Sequence, residues 1–160
     1  MPSGVEILLR ILVLSDSHTR VGRLREICEL HSEASAVIFL GDGAYDIESV
    51  RENISDKALY AVRGNCDLFC ENEDERFIEL GGKRILFCHG HAYDVKFTYE
   101  KLKSHAACMG ADIVLFGHTH IPFKDYEDGM YIMNPGSVYD GRYGMIDITS
   151  AGVNLCLCEL

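Results

Sequence analysis

Residues 11–18 have the sequence Ile-Leu-Val-Leu-Ser-Asp-Ser-His, in which a continuous apolar run gives way abruptly to polar side chains. A short apolar run that ends in turn residues is typical of a β-strand buried on both faces. The same pattern returns at residues 36–42, 59–65, 84–89 and 112–118. The closing polar residues stand at positions 16, 42, 65, 89 and 118, and each interval has room for one strand and one helix. The pattern therefore predicts repeated strand–helix units and an α/β fold.

Three of the intervals between these runs contain apolar residues at helical spacing. They cover residues 21–34, 47–53 and 98–109, and the last stops before Gly110, a residue that commonly ends helices. The interval between residues 66 and 84 differs, because an acidic stretch leads into a short strand, a Gly81-Gly82 turn and the next strand. That order is typical of a β-hairpin.

Beyond residue 120 the sequence contains only short strand patterns. Strands are predicted at residues 123–126 and 130–133, joined by Asp128-Gly129, and at residues 144–149 and 153–158. No linker or low-complexity segment separates this β-rich end from the α/β part. We therefore expect a single domain over residues 1–160, a length at which folding buries roughly 68–70% of the unfolded chain's surface.

Composition and charge narrow the classes of function. Hydrophobic residues make up 48% of the chain and charged residues 25%, the balance of a folded protein rather than a disordered one. Acidic residues outnumber basic ones by 25 to 15, which gives a net charge of −10. Such a surface repels phosphate backbones, so long nucleic acids are not expected as partners. A cluster of carboxylates would instead attract a multivalent cation.

The sequence also predicts a cytoplasmic protein that does not enter a membrane. Its longest apolar region, residues 5–14, is interrupted by Glu6 and Arg10 and is much shorter than the ~20 residues that span a bilayer. The first four residues lack the basic region of a signal peptide. The seven cysteines form no C-x-x-C pair, so we expect free thiols, with Cys156 and Cys158 packing as small apolar residues.

Polar side chains close the apolar runs, and they offer the ligands of a metal site. Loops at the carboxyl ends of strands converge in open α/β sheets, so these side chains are expected to lie together. The carboxylate, amide and imidazole donors are too many for one tetrahedral zinc, and they suit two metal ions that share a bridging carboxylate. One such residue alone is more often a turn residue than a ligand, whereas the whole set favours a site. The predicted ligands are Asp16, His18, Asp42, Asn65, His89, His118 and His120.

The order of these residues resembles that of a known family. The motifs Asp16-x-His18, Gly41-Asp42, Gly64-Asn65, His89 and Gly117-His118-x-His120 are similar to those of the calcineurin-like metallophosphoesterase superfamily. The resemblance extends from Ile11 to about Ser137. The short chain, together with Asn65-Cys66-Asp67 and Asn134-Pro135-Gly136-Ser137, further resembles the small YfcE-type phosphodiesterase branch. This resemblance implies a four-layer α/β/β/α sandwich with two facing mixed β-sheets.

The resemblance also implies a ligand set and a reaction. One divalent ion would be bound by Asp16, His18, Asp42 and His120, and the other by Asp42, Asn65, His89 and His118, with Asp42 as the bridge. The implied activity is that of a metal-dependent phosphodiesterase, which hydrolyses small phosphodiesters with a hydroxide activated by both metals. A phosphomonoesterase, a nuclease and a non-catalytic scaffold of the same fold are the alternatives, and the complete ligand set favours an enzyme. Manganese is the expected metal, with nickel, iron, zinc and cobalt as alternatives.

One position departs from the superfamily pattern. Many of its phosphatases have a histidine directly after the motif asparagine, where it can protonate the leaving group, but here that residue is Cys66. A thiol is a poor substitute for an imidazole, so diesters with good leaving groups are the expected substrates. The candidate catalytic residues are Asn65, Cys66 and His91, and the proton donor is left open among Cys66, His91, Asp67 and water. His91 is equally well explained as a loop residue. A homo-oligomer is also left open, because the β-rich end offers edge strands.

Overall fold

The apolar run that begins at residue 11 lies in the central strand of a five-stranded sheet. The structure is a computed structural model that describes residues 4–160, so residues 1–3, on which the prediction about a signal peptide partly depends, lie outside the described part. The described strands are β1 (Ile7–Leu14), β2 (Ala36–Phe39), β3 (Ala58–Ala61), β4 (Glu75–Leu80), β5 (Lys83–Cys88), β6 (Ile113–Leu115), β7 (Phe123–Glu127), β8 (Met130–Asn134), β9 (Arg142–Thr149) and β10 (Gly152–Glu159). The described α-helices are α1 (Val21–Leu30), α2 (Ala44–Ser49) and α3 (Glu100–Met109).

Both sheets are mixed and contain five strands each. The first has the order β10-β9-β1-β2-β3 and the second has the order β4-β5-β6-β8-β7. Strands β1, β2 and β3 run parallel, as do β5, β6 and β8, and helices connect most of them. Antiparallel pairs β4–β5, β7–β8 and β9–β10 confirm the hairpins predicted from the turn residues.

Successive residues of β1 are buried in two different cores. Ile11 and Val13 pack between the two sheets, in a core shared with Phe87 of the second sheet. Leu12 and Leu14 pack on the opposite face, beneath α1 and α2, and a third core lies between the second sheet and α3. Each fully buried side chain of this kind stabilises the fold by about 1.5–3 kcal/mol. Burial on both faces explains the continuous apolar runs, and the resulting layers confirm the predicted α/β/β/α sandwich.

The helix boundaries differ from the predicted ones at several ends. Helix α1 stops at Leu30, because the chain turns at His31, whose Nε2 lies 2.7 Å from the hydroxyl of Tyr143. Helix α2 begins at Ala44, before its predicted start, and a short 3-10 turn follows it. Helix α3 ends as predicted before Gly110, which adopts a left-handed φ of 75°.

The membrane and thiol predictions have separate outcomes. Among residues 4–160, no helix is both long and apolar enough to cross a membrane. All seven cysteines are free thiols, as expected. The packing expected for Cys156 is wrong, however, because Cys156 is exposed on the edge strand β10. Only Cys158 packs partly against the core beneath α1.

Candidate metal centre

The ends of five strands meet at one edge of the two sheets and bring six of the seven predicted ligands together. Asp16 and His18 follow β1, Asp42 follows β2, Asn65 follows β3, His89 follows β5, and His118 and His120 follow β6. Asp16, Asp42 and His89 are buried, whereas the other three histidines are only half-buried. The cluster therefore has a buried floor and an open mouth.

Asp16, His18 and His120 form the first group of donors. Nε2 of His120 lies 3.1 Å from Oδ1 of Asp16, and Nε2 of His18 lies 3.5 Å from the same oxygen. The two Nε2 atoms of His18 and His120 are themselves 3.2 Å apart. All three donor atoms lie within 4.8 Å of one another, close enough to bind one ion together.

Asp42, His89 and His118 form the second group. Nε2 of His89 lies 3.2 Å from Oδ2 of Asp42 and 3.2 Å from Nδ1 of His118. The same Oδ2 of Asp42 is 3.8 Å from Nε2 of His18 in the first group. Asp42 therefore lies near histidines of both groups, and its role as a bridging carboxylate stays a prediction.

Asn65 is the predicted ligand for which no side-chain hydrogen bond to another predicted ligand is found within residues 4–160. Its side chain is exposed, and its amide nitrogen lies 3.6 Å from Sγ of Cys66. Sγ of Cys66 lies within 4.8 Å of a donor atom of His18 and of one of Asp42. The ligand role of Asn65 stays a prediction.

The negative charge of the centre favours a bound cation. Within residues 4–160, no lysine or arginine nitrogen lies within 4 Å of the buried carboxylates of Asp16 and Asp42, whose ion-pair partners are all histidines. Burial alone would raise the pKa of Asp42, but the hydrogen bond and charge of His89 outweigh it and lower that pKa. Two ionised carboxylates in a buried site are costly unless positive charge compensates them. The donor set therefore fits divalent cations.

Hydrogen bonding and charge set the protonation of the two histidines in the second group. Nδ1 of His89 lies 2.8 Å from the carbonyl oxygen of Leu40, so it donates a hydrogen bond there and leaves Nε2 to face Asp42. Burial lowers the pKa of His89, yet Asp42 and Asp16 raise it overall, so a proton on His89 compensates the carboxylates when no cation is bound. Burial and the neighbouring His89 lower the pKa of His118 to about 4, which keeps His118 in the neutral form that binds metals.

Five of the seven predicted ligands have a left-handed backbone. Their φ angles are 55° at Asp16, 40° at His18, 56° at Asp42, 69° at His118 and 61° at His120. Residues other than glycine rarely adopt this conformation, which costs about 1–3 kcal/mol each and tends to occur at functional sites. The loops hold it through contacts with one another, such as the backbone nitrogen of Asp16 donating to the carbonyl oxygen of Gly41 at 2.9 Å.

Two carboxylates that are not in the predicted ligand set hold these loops in place. Asp67 was one of the proton donors left open, but both of its oxygens face backbone N–H groups: Oδ2 accepts from Asp42 and Gly64, and Oδ1 accepts from Gly43 and Ala44, at 2.7–3.0 Å. It therefore ties the loop after β3 to the loop after β2. Asp46 accepts hydrogen bonds from Oγ of Ser17 at 2.6 Å and from the backbone of Thr19 at 2.8 Å, which fixes the loop that carries His18.

The loop after β8 braces the centre from the second sheet. Oγ of Ser137 donates to the carbonyl oxygen of Asp16 at 2.7 Å. Nδ2 of Asn134 donates to the carbonyl oxygen of Gly117 at 3.0 Å and to Oγ1 of Thr119 at 2.9 Å. Residues 134–137 therefore connect the loop of Asp16 with the loop that carries His118 and His120.

Comparison with known proteins identifies the family of this chain. The calcineurin-like phosphoesterase superfamily domain matches residues 9–151. The chain belongs to this superfamily. The probable metallophosphoesterase YsnB of Bacillus subtilis is 33% identical over 131 residues, which cover 81% of this chain and 75% of YsnB. The phosphodiesterase YfcE of Escherichia coli K12 is 27% identical, with 88% of each chain covered.

Solved structures place the fold in the same superfamily. A predicted phosphoesterase from Streptococcus pneumoniae superposes with a TM-score of 0.79 at 26% identity, and the match covers 94% of this chain and 89% of that one. Vps29 of Chaetomium thermophilum gives a TM-score of 0.73 at 16% identity, with 97% of both chains covered. At that identity the likeness shows the fold alone.

Cys66 and His91 flank the donor cluster. Burial and the negative charge of Asp42 raise the pKa of the Cys66 thiol, which therefore stays protonated at neutral pH. The His91 ring centroid lies 5.5 Å from that of His89 and 6.1 Å from that of His118. Within the described residues, Nδ1 of His91 is buried without a hydrogen-bond partner, and burial together with His89 lowers the pKa of His91. Both side chains are thus beside the centre and uncharged.

Proposed function

We propose that this phosphoesterase is a metal-dependent phosphodiesterase that acts on small phosphodiesters and binds two divalent cations. The observation that carries the proposal is the position of Asp42, whose Oδ2 lies 3.2 Å from His89 of one donor group and 3.8 Å from His18 of the other. A carboxylate shared by two groups of imidazoles is the arrangement that a pair of ions requires.

The first ion would be held by Asp16, His18, Asp42 and His120, and the second by Asp42, His89 and His118, with Asn65 as a further oxygen donor. Mixed nitrogen and oxygen donors without a thiolate suit manganese, iron, cobalt, nickel or zinc, and we propose manganese. Bound there, two divalent cations supply an activated water and neutralise charge on the phosphoryl oxygens.

The side chains of the chain itself define and orient the site. His89 is fixed by its hydrogen bond to the carbonyl oxygen of Leu40, and Asp42 is fixed through its backbone by Asp67. The protonated Cys66 thiol is a poor nucleophile, so we expect no covalent phosphocysteine. Cys66 and His91 are proposed as proton donors to the leaving group. The Cys66 thiol is a weak acid, because the negative charge of Asp42 raises its pKa.

Diesters are preferred in this proposal over monoesters and over polymers. The relative YfcE is named a phosphodiesterase, and its identity to this chain is 27% over 88% of both proteins. A weak proton donor favours diesters with good leaving groups, because these need little protonation. The net charge of −10 disfavours long nucleic acids as substrates.

Metal removal and replacement test the proposed function. The protein is stripped with a chelator and assayed on bis(p-nitrophenyl) phosphate after each candidate metal is added back. We expect turnover only with metal, and a decrease of about 100-fold or more for Asp42→Asn, since even residues behind metal ligands change activity by about 10–100-fold. The exposed Asp125 on β7 provides the matched control, Asp125→Asn, which should retain turnover. Full turnover without metal, or in Asp42→Asn, would contradict the proposal.

A further inference from the structure

A cavity of about 240 Å³ opens beside the candidate metal centre. Its lining includes His18 and Asp42 from the two donor groups, together with Cys66. The cavity is smaller than the ~300–1,000 Å³ of pockets that enclose whole drug-sized ligands. It therefore has room for one part of a substrate whose phosphate lies at the centre.

Tyr45 lines the same cavity although it belongs to neither donor group. Its side chain is 66% exposed, and its hydroxyl donates a hydrogen bond to the carbonyl oxygen of Leu68 at 3.5 Å. Leu68 and the next residue, Phe69, are 68% and 96% exposed. We call Tyr45, Leu68 and Phe69 the apolar ledge. Of the three, Tyr45 lines the cavity, and its hydrogen bond places the backbone of Leu68 next to its hydroxyl. Single exposed apolar residues are ordinary on protein surfaces, but large ones on adjoining segments at the edge of a cavity are candidates for binding.

The backbone at Phe69 supports a role for the ledge. Phe69 has a φ of 62°, a left-handed conformation that is a genuine outlier for a bulky residue. No burial of the ring offsets this strain, since the side chain is almost fully exposed. Backbone strain of this kind is found more often at functional sites than elsewhere.

The charge of the cavity selects the part of the substrate that enters it. Asp46 and Asp67 also line the cavity, and both carboxylates are held by hydrogen bonds from neighbouring loops. Their negative charge repels a second phosphate group. The apolar ledge and the acidic lining together suit a flat organic group without negative charge.

We propose that the apolar ledge binds a flat aromatic group of the phosphodiester substrate, such as an aryl ring or a nucleobase, by stacking against Tyr45 and Phe69. The inference rests on the proposed function, because it assumes that the phosphate binds at the metal centre. An aromatic face accepts any flat ring, so the ledge selects a chemical class rather than one compound.

Binding of two matched phosphonates to the manganese-loaded protein tests the inference. Phenylphosphonate and methylphosphonate carry the same charged group and differ in the ring, and their P–C bonds resist hydrolysis. We expect calorimetric titration to give about 5- to 100-fold tighter binding of phenylphosphonate, which is the usual effect of one stacked ring. The preference should disappear in Tyr45→Ala and decrease in Phe69→Ala. It should remain in Tyr45→Phe and in Tyr126→Ala, which removes an exposed aromatic residue from β7.

A second pair of ligands distinguishes a small aryl group from a nucleobase. Adenosine 5′-monophosphate and ribose 5-phosphate are compared as competitive inhibitors, and a preference for the adenosine compound that Tyr45→Ala abolishes assigns the ledge to a base. A ring preference in neither pair, or one that survives both alanine variants, overturns the inference. A ring preference in a protein without phosphodiesterase turnover contradicts the proposed function only. Failure of every candidate metal to bind overturns both.

Discussion

Oδ2 of Asp67 accepts a hydrogen bond from the backbone nitrogen of Asp42 at 2.7 Å, across 25 positions of sequence. Together, the two oxygens of Asp67 accept hydrogen bonds from four backbone N–H groups in the loops after β2 and β3. Asp42 has a left-handed backbone that is unfavourable by itself, and this contact helps to hold it. The backbone nitrogen of Cys66 donates to Oδ1 of the Asp42 carboxylate at 2.8 Å. Asp67 is thus a positioning residue of the centre.

Asp67→Asn tests this role with almost no change in size. The amide nitrogen of the asparagine would face two backbone N–H groups, so one acceptor oxygen and its two hydrogen bonds are lost and donors oppose each other. We expect a decrease of about 1–3 kcal/mol in the free energy of unfolding and of about 10–100-fold in manganese affinity. Urea unfolding and metal titration measure the two effects. Asp56→Asn is the control, because Asp56 is exposed and contacts only Lys57; unchanged affinity in Asp67→Asn would rule out the positioning role.

Gly64 leaves room for the Asp42 carboxylate because it has no side chain. A Cβ at this residue would lie 2.1 Å from Oδ1 of Asp42, so Gly64→Ala must displace that carboxylate. We expect a loss of about 1–3 kcal/mol in stability and a clear loss of metal affinity. Gly22 in α1 has no atom near its Cβ position, so Gly22→Ala should stabilise the protein by about 0.5–1 kcal/mol. If Gly64→Ala binds manganese like the unchanged protein, Asp42 does not need its observed position.

The strands were predictable because burial on both faces requires an unbroken run of apolar residues, which is visible in a short stretch of sequence. Residues such as Ile11 and Leu12 face opposite cores, so the whole run must be apolar, and the polar residues that follow mark the edge where loops converge. The end of α1 was harder to predict, since the residue that follows it, His31, contacts Tyr143, which is 112 positions away.

The same distinction applies to the candidate site. Donor residues at strand ends stand out in the sequence, and six of the seven come together. The role of Asp46 in holding the His18 loop could not be predicted, because it depends on a hydrogen bond from Ser17, 29 positions away. Asn65 shows the opposite difference: its motif predicts a ligand, while its side chain is exposed and contacts Cys66.

The stability of the metal-free protein is expected to fall as the pH rises through neutrality. The pKa of His89 is raised above its ordinary value of 6.5 by Asp42 and Asp16, so the folded state holds this proton more tightly than the unfolded state does. The stabilisation is complete below pH ~6.5 and is lost as the pH rises through the folded pKa, which leaves the carboxylates uncompensated. Bound manganese should replace the proton and remove this loss.

Urea unfolding between pH 5 and 8, with chelator and with manganese, measures this effect. The comparison with Asp42→Asn isolates the contribution of the centre from that of other groups, because this variant lacks the main partner of His89. Its stability in chelator should depend less on pH than that of the unchanged protein. Equal pH dependence in the two proteins would mean that the carboxylate–histidine pair does not control the stability of the metal-free fold.

Substitution of Cys66 should change which leaving groups the protein can expel. The thiol is exposed near His18 and Asp42, and its raised pKa makes it a weaker acid than an imidazolium. In Cys66→His, an imidazole at this position can protonate a poor leaving group, which general acid catalysis accelerates by about 100- to 10,000-fold when it is well positioned. We therefore expect turnover of unactivated monoesters to rise relative to that of bis(p-nitrophenyl) phosphate, whose leaving group needs no proton. Cys108→His, at an exposed position of α3, should leave the ratio unchanged. An unchanged ratio in Cys66→His as well would place the proton donor elsewhere, with His91 as the next residue to substitute.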